Sequence, residues 1–290
     1  LFENIRFYKG EENNDLNFIE KLCNNFDVFV NDAFSVSHRN HASIVGPPKF
    51  LPSFAGYNLI DEIKNIEFFF NQPKKPNLAI IGGSKISTKI DMLYNLVKFF
   101  DVLVIGGAMA NTFLYATNIN IGKSLCEKNL SETALSIIAH SKKYNCKIIL
   151  PVDVVCADSL EDKLNIRKSN INNIANDQMI LDLGDETIEI ISKYIFKSNS
   201  ILWNGPLGVF EQKPFDHSSI NIANIIKNNF VLSNKSIVAG GGDTISVIKL
   251  AKAEDGFSYI SKAGGAFLEW LEGNGSPGVK ALSTSNYSST

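Results

Sequence analysis

Leu78-Ala79-Ile80-Ile81-Gly82-Gly83-Ser84-Lys85 is a short aliphatic run that stops on a glycine pair. Four unbroken apolar residues predict a strand buried on both faces, and the glycines predict a turn into a helix. The unit recurs. Val102-Leu103-Val104-Ile105 leads into Gly106-Gly107-Ala108, and Ser200-Ile201-Leu202-Trp203 into Asn204-Gly205-Pro206. Ser236-Ile237-Val238-Ala239 leads into Gly240-Gly241-Gly242-Asp243. The apolar run 148–155 and the run 258–261 before Gly264-Gly265 complete a set of six. Helical spacing between the runs predicts right-handed βαβ crossovers, hence an α/β fold with a doubly wound parallel sheet.

Working outward, Ile86, Ile90, Leu93, Val97 and Phe100 fall at three- and four-residue steps, a helical stripe directed at the sheet. Leu59, Ile63, Ile66 and Phe70 form an earlier stripe, which ends at Asn71-Gln72-Pro73-Lys74-Lys75-Pro76. Two prolines and no apolar residue mark that stretch as a linker and place a domain boundary there. The last eight residues, 283–290, are almost all Ser, Thr or Asn and predict disorder.

The 290 residues, 44% of them hydrophobic, have length and core material for two domains. A net charge of −2 with 20% charged residues argues against a nucleic-acid or membrane-surface protein. No apolar run reaches transmembrane length and no signal peptide opens the chain. The first residue is Leu1 rather than Met, inside an apparent strand pattern, so the chain reads as truncated at its start. Cys23, Cys126, Cys146 and Cys156 show no C-x-x-C spacing and predict reduced thiols in a cytoplasmic protein. His38 and His41 stand three apart with no third ligand at metal-site spacing, and no metal is expected on them.

Several glycine turns on one edge of a parallel sheet point to an anionic ligand, because helix N-termini there present free N–H groups and the positive end of a dipole. Lys85 and Lys89 sharpen the reading. Placed in the first turns of a helix, four apart on one face, they oppose the dipole unless a phosphate offsets them; the alternative is a pair of solvated surface lysines. Asp243, after three glycines, reads either as a helix N-cap or as a carboxylate beside the metal of a magnesium nucleotide. Glu211 alone reads as a surface acid; Arg6 and Arg39 each carry a fork of donors suited to a phosphate, but taken alone read as partners in surface ion pairs. Gly122-Lys123-Ser124 mimics the end of a Walker A loop, but Thr117 stands where its leading glycine belongs. No G-x-G-x-x-G follows any strand, which argues against a nicotinamide dehydrogenase.

Eight segments, in order along nearly the whole chain, resemble phosphoglycerate kinase. They are LFENIRFYKGEE at 1–12, VNDAF at 30–34 with SHRNHAS at 37–43, GGSKISTKI at 82–90 and GGAMANTFL at 106–114. PVDVV at 151–155, WNGPLGVFE at 203–211, AGGGDTISVI at 239–248 and AGGAFLEWLEG at 263–273 complete the series. The resemblance implies reversible phosphoryl transfer from 1,3-bisphosphoglycerate to ADP, giving 3-phosphoglycerate and ATP, by a cytoplasmic monomer. Mg2+ is implied as cofactor with ADP or ATP, and neither nucleic acid nor membrane as partner. It implies a partial N-terminal substrate domain over 1–56, an interdomain helix over 57–71, a nucleotide domain over 72–265, and a segment 266–290 returning to the N-terminal domain.

By the same resemblance, Arg6, Arg39 and His38 belong to the substrate's basic patch. Lys85 and Lys89 lie near the nucleotide phosphates, with Lys89 on the transferred group. Asn204 and Glu211 lie close to the nucleotide, Glu211 at the ribose hydroxyls. Gly241, Gly242, Asp243 and Thr244 form the phosphate and Mg2+ turn, and Gly264-Gly265 opens the last helix toward the transferred phosphoryl group. The family's opening segments, with an Asp-Phe-Asn substrate loop, have no counterpart here. Lys262 stands where the family usually has Thr, and Asp185 where Pro is common after Gly184. Asn274 and Ser276 stand where Lys and Leu are usual. The rival reading is a non-catalytic Mg-nucleotide-binding fragment of the same family; a nicotinamide dehydrogenase is a distant third.

Overall fold

The structure, a computed structural model, describes all residues except 1, 72, 162–164, 231–234, 274 and 285–290; of residues 68, 70 and 71 it describes the backbone alone. The chain opens with helices α1 (Lys9–Glu12) and α2 (Leu16–Cys23), strand β1 (Phe29–Asn31), helix α3 (Ala42–Val45), strand β2 (Ser53–Ala55) and helix α4 (Tyr57–Asn71). There follow β3 (Asn77–Ile81), α5 (Ile90–Phe99), β4 (Val102–Ile105), α6 (Gly107–Ala116), α7 (Ser131–Lys143) and β5 (Lys147–Ile149). Next come β6 (Asp153–Ala157), β7 (Arg167–Asn170), β8 (Met179–Leu183), α8 (Asp185–Lys197), β9 (Ser200–Asn204) and α9 (His217–Phe230). The chain closes with β10 (Ser236–Gly240), α10 (Gly242–Leu250), β11 (Tyr259–Ser261), α11 (Gly264–Glu272) and α12 (Pro277–Ser283).

Contacts divide the chain into two compact units. One holds the residues up to Phe68 together with those from Ala263 onward; the other runs from Phe69 to Lys262.

The larger unit is built on a six-stranded sheet in the order β11-β10-β9-β3-β4-β5, parallel throughout. Every residue of β3, β4 and β9 is buried, as unbroken apolar runs in a sheet covered on both faces require. Trp203, Ile80, Leu78 and Ile201 on the sheet pack with Ile191, Ile195, Ile222 and Ile226 of α8 and α9. The strand order reverses between β3 and β9. Chain order runs outward from β3 to β4 and β5 on one side, and from β9 to β10 and β11 on the other, so the crevice beyond their carboxyl ends is the topological switch point.

Three expectations need correction here. The run 148–155 is not one strand: β5 joins the parallel sheet, whereas β6 belongs to a separate antiparallel sheet ordered β7-β6-β8. Pro151 falls between them, and without an N–H it cannot continue a ladder. The apparent strand at the start of the chain is absent among the described residues, where Ile5–Phe7 forms one 3-10 turn. Two apolar residues with no neighbouring strand have no ladder to join. Lys85 and Lys89 do not lie in the first turns of a helix. Lys89 is the N-cap of α5 and Lys85 sits in the preceding loop, since Gly82-Gly83 leads into a loop of several residues before the helix begins.

The smaller unit pairs β1 with β2 in parallel, Val30 opposite Phe54, with both side chains exposed. Ile19, Cys23 and Ala42 form a small core below. Ser276, one of the departures from the family pattern, is buried, and its hydroxyl donates to Ser37 O at 2.5 Å beside the Gly278 N–H, which donates to the same oxygen at 2.8 Å. Asn274 lies outside the described residues, and Lys262 is exposed.

Candidate active site at the switch point

The turns after β3 and β9 approach so closely that side chains are excluded. A Cβ on Gly82 would sit 1.9 Å from Pro206 O, and one on Gly205, whose φ is +90°, 2.3 Å from Gly82 O. Backbone bonds lock the turns together: Gly82 N donates to Asn204 O at 2.9 Å, Gly83 N to Pro206 O at 3.1 Å and Gly107 N to Leu207 O at 2.9 Å. A cavity of about 270 Å³ opens beside them; its lining combines Gly83, Ser84, Gly107, Ala108 and Asp243 with the apolar Leu125, Met179, Leu181 and Val209, and Glu211 also lines it.

Lys89 reaches back into this crevice. Its ammonium donates to Gly82 O at 2.7 Å and to Asn204 Oδ1 at 2.6 Å. Burial lowers its pKa to about 8, with the nearby charge of Asp243 pulling the other way. Asn204, itself buried, is oriented by its Nδ2 donating to Gly240 O at 2.7 Å, which leaves its oxygen toward Lys89. Thr244 is buried and its Oγ1 accepts from Gly205 N at 2.7 Å, tying α10 to the turn after β9.

Asp243 is not an N-cap: that position belongs to Gly241, with φ +100°, and Asp243 is an exposed residue inside the first turn of α10. Neither α6 nor α10 carries a side-chain N-cap; at α6 the N–H groups of Gly107 and Met109 are taken by Leu207 O and Gly83 O, both at 2.9 Å, so the open first-turn donors at the cavity are those of α10 and Ala108. Lys85 is exposed on the loop before α5.

The structure thus brings Lys89, Asn204, Gly241, Gly242, Asp243 and Thr244 together, with Glu211 on the same cavity. Arg6, His38, Arg39, Gly264 and Gly265 belong to the smaller unit. There His38 lies against the start of α11, where a Cβ on Gly265 would sit 3.2 Å from its ring. Burial, then the charges of Arg39, His41 and Arg6, lower the His38 pKa against a backbone interaction at Ser35. Arg6 is exposed, and His41 Nδ1 lies 3.8 Å from Glu11 Oε1.

Sequence reasoning missed three polar residues here. Asn111 is a lone buried amide on α6. Asp182, an acid in the apolar strand β8, is pushed up to about 7 by burial, against hydrogen bonds from Ser218 and Leu183. Glu127 accepts from Ser87 N at 3.0 Å and Ser87 Oγ at 2.6 Å, gripping the loop between the two lysines. The signal available for the first two was a polar residue interrupting an apolar element; for Glu127 there was none.

The family model for phosphoglycerate kinase matches residues 1–274. The chain belongs to the phosphoglycerate kinase family. It is 47% identical over 286 residues to phosphoglycerate kinase of Rhizobium meliloti, covering 99% of this chain and 72% of that one. It is 48% identical over 282 residues to the Mesorhizobium japonicum protein of the same name, covering 97% and 71%. The solved structure of phosphoglycerate kinase from Coxiella burnetii superposes with a TM-score of 0.89 at 38% identity, over 97% of this chain and 71% of that one. The chain therefore spans about seven-tenths of the length of these relatives. Phosphoglycerate kinases are phosphotransferases of glycolysis that interconvert 1,3-bisphosphoglycerate plus ADP with 3-phosphoglycerate plus ATP, and that is the function of this chain.

Proposed function

We propose that the cavity at the β3/β9 switch point binds the nucleotide, ADP or ATP with Mg2+, and that Lys89 stabilises the phosphoryl group in transit. The observation that carries this reading is a half-buried ammonium held by two neutral oxygens, Gly82 O and Asn204 Oδ1. A cation desolvated without a carboxylate partner is unfavourable until an anion arrives. The uncapped N-terminus of α10 beside it offers donors to the same anion.

In this reading Gly241, Gly242 and Thr244 shape the phosphate turn, Asn204 orients Lys89, Lys85 meets the phosphates from the loop, and Glu211 takes the ribose hydroxyls. Among the described residues no cluster of three or more His, Cys, Asp or Glu could cage a metal alone. An ion arriving with a nucleotide needs only one or two protein carboxylates, because phosphates and water supply its other ligands. Asp243, exposed on the cavity, fits that role. When bound, Mg2+ neutralises charge on the phosphate oxygens.

The smaller unit is assigned the substrate: Arg6 and Arg39 bind the carboxylate and phosphate of 3-phosphoglycerate or its bisphosphate, with His38 beside them. Gly264 and Gly265, opening α11, offer N–H groups to the transferred phosphoryl group. Transfer through a loose transition state needs in-line placement and preorganised positive charge more than covalent help. No described helix is long and apolar enough to cross a membrane. With a net charge of −2, a cytoplasmic monomer acting on small molecules is the corresponding setting. A coupled assay of the full protein should give Mg2+-dependent turnover in both directions. Folded protein inactive with either nucleotide at saturating Mg2+ would refute the assignment.

A further inference from the structure

We propose that Asn111 reads the nucleotide base, its carboxamide oxygen accepting a hydrogen bond from the exocyclic amino group of adenine. The inference rests on the nucleotide reading above. Asn111 is 1% exposed, one turn into α6 from Gly107 and Ala108, among Met109, Ala110, Phe113 and Leu114. An apolar residue would serve packing better there, since asparagine in a helix interior competes with the backbone and must be desolvated. Its Nδ2 donates to Leu125 O at 3.1 Å. A carbonyl can only accept, so this bond fixes which end of the amide is which. The oxygen that remains is buried and has no hydrogen-bond partner. Roughly nine in ten buried polar atoms are partnered, so an orphan calls for a ligand or a function. Other orphaned buried atoms occur on Asn14, His38, Arg39, His140 and Gln178, but among the described residues only Asn111 of this set lines the cavity.

The position selects the kind of group. The glycine turns and Asp243 supply the part of the lining suited to phosphates, and Leu125, Met179, Leu181 and Val209 supply apolar surface suited to a base. Asn111 is tied to Leu125, one of those apolar lining residues. An unpaired acceptor requires a donor from the ligand. Adenine presents one at its 6-amino group, whereas a 6-oxo purine presents an oxygen, which an orphaned acceptor repels.

The test compares equilibrium binding, at fixed Mg2+, of ADP, of purine riboside 5′-diphosphate (which lacks the amino group) and of inosine diphosphate. The native protein should bind ADP about tenfold more tightly than the desamino analogue, and inosine diphosphate no better than the analogue. In Asn111→Leu, ADP and the analogue should bind about equally. Equal affinities on the native protein would overturn the proposal without recourse to any variant, as would an ADP preference that survives in Asn111→Leu. Failure of the native protein to bind any of the three would instead overturn the nucleotide reading itself.

Discussion

Lys89 is a lysine that folding alone would not choose. Its free pKa of 10.5 falls to about 8 through desolvation, and its hydrogen bonds reach only neutral oxygens. The unfolded chain therefore holds more protons than the folded one between pH 8 and 10.5, and this residue makes stability rise as pH climbs through that window. A bound phosphate reverses the preference by favouring the charged form. At pH 8 nucleotide binding should accordingly take up a substantial fraction of a proton, read by calorimetry in buffers of different ionisation enthalpy. Lys89→Ala should abolish that uptake and lower kcat on the order of 10²- to 10³-fold, with a smaller change in nucleotide KM. A raised KM at unchanged kcat would make Lys89 a ground-state anchor instead. Lys89 stood out in sequence through its four-residue spacing from Lys85 after a glycine turn, and Asn204 through the family resemblance. Asn111 and Asp182 did not, because their meaning depends on partners distant in the chain, as when Asp182 accepts from Ser218 N at 2.9 Å.

Helix N-termini are satisfied in different ways. Four take carboxylates from distant parts of the chain. Glu11 accepts from Ser43 N at the start of α3, and Asp32 from Leu59 N on α4. Asp153 accepts from Glu186 N and Thr187 N on α8, and Asp182 from Ser218 N on α9. The termini of α6 and α10, by contrast, face the cavity without a side-chain cap. Donors satisfied by the protein hold the fold; on the proposed reading the open donors of α10 are the ones a phosphate would take. The loop before α5 is intermediate. Glu127 stabilises it from outside, and although burial pushes its pKa up, hydrogen bonds from Ser87 and Ile86 and the charge of Lys85 hold it below the usual carboxylate range. Glu127→Ala should weaken the protein by about 1 kcal/mol, the cost of lost hydrogen bonds to the loop, and raise nucleotide KM by freeing the Lys85–Lys89 loop. Since the folded pKa is depressed, the native stabilisation exceeds that of the variant above the unfolded pKa, and the gap closes as pH falls through the folded value. Urea melts at pH 7 and pH 3 with nucleotide KM measured in parallel check this; equal KM values would confine Glu127 to stability. Asp185, where the family commonly has Pro, binds Lys168 Nζ at 2.5 Å and lies 3.4 Å from His217 Nε2, so the departure links β7 to the start of α9. No periodicity signals such pairings, because they join exposed residues far apart in sequence. The antiparallel sheet was missed for a related reason: β7 is Arg-Lys-Ser-Asn, with no apolar residue to announce it.

At the scale of the molecule, the glycine turns sufficed to read the larger unit, because a sheet covered on both faces writes itself as unbroken apolar runs. That unit is also self-contained. Its cavity is lined only by residues between Gly83 and Asp243, and its main core draws on residues from Leu78 to Phe257. Its edges are blunted: β5 and β11 are three residues each, and Lys147 on β5 projects a charge that donates to Tyr194 OH at 2.7 Å. Phe69, at the start of the unit, is buried and packs 6.3 Å from the Phe100 ring, so a chain beginning there keeps its first anchor. Residues 69–262 expressed alone should therefore unfold in one cooperative urea transition and bind Mg-ADP with the affinity of the 290-residue chain. They should not turn over 3-phosphoglycerate, since Arg6, His38, Arg39 and the Gly264-Gly265 helix start are left behind. Calorimetry and a coupled assay on the fragment decide both halves. A folded fragment that fails to bind ADP would mean that the smaller unit completes the nucleotide site. Turnover by the fragment would mean that the substrate is held by residues between 69 and 262.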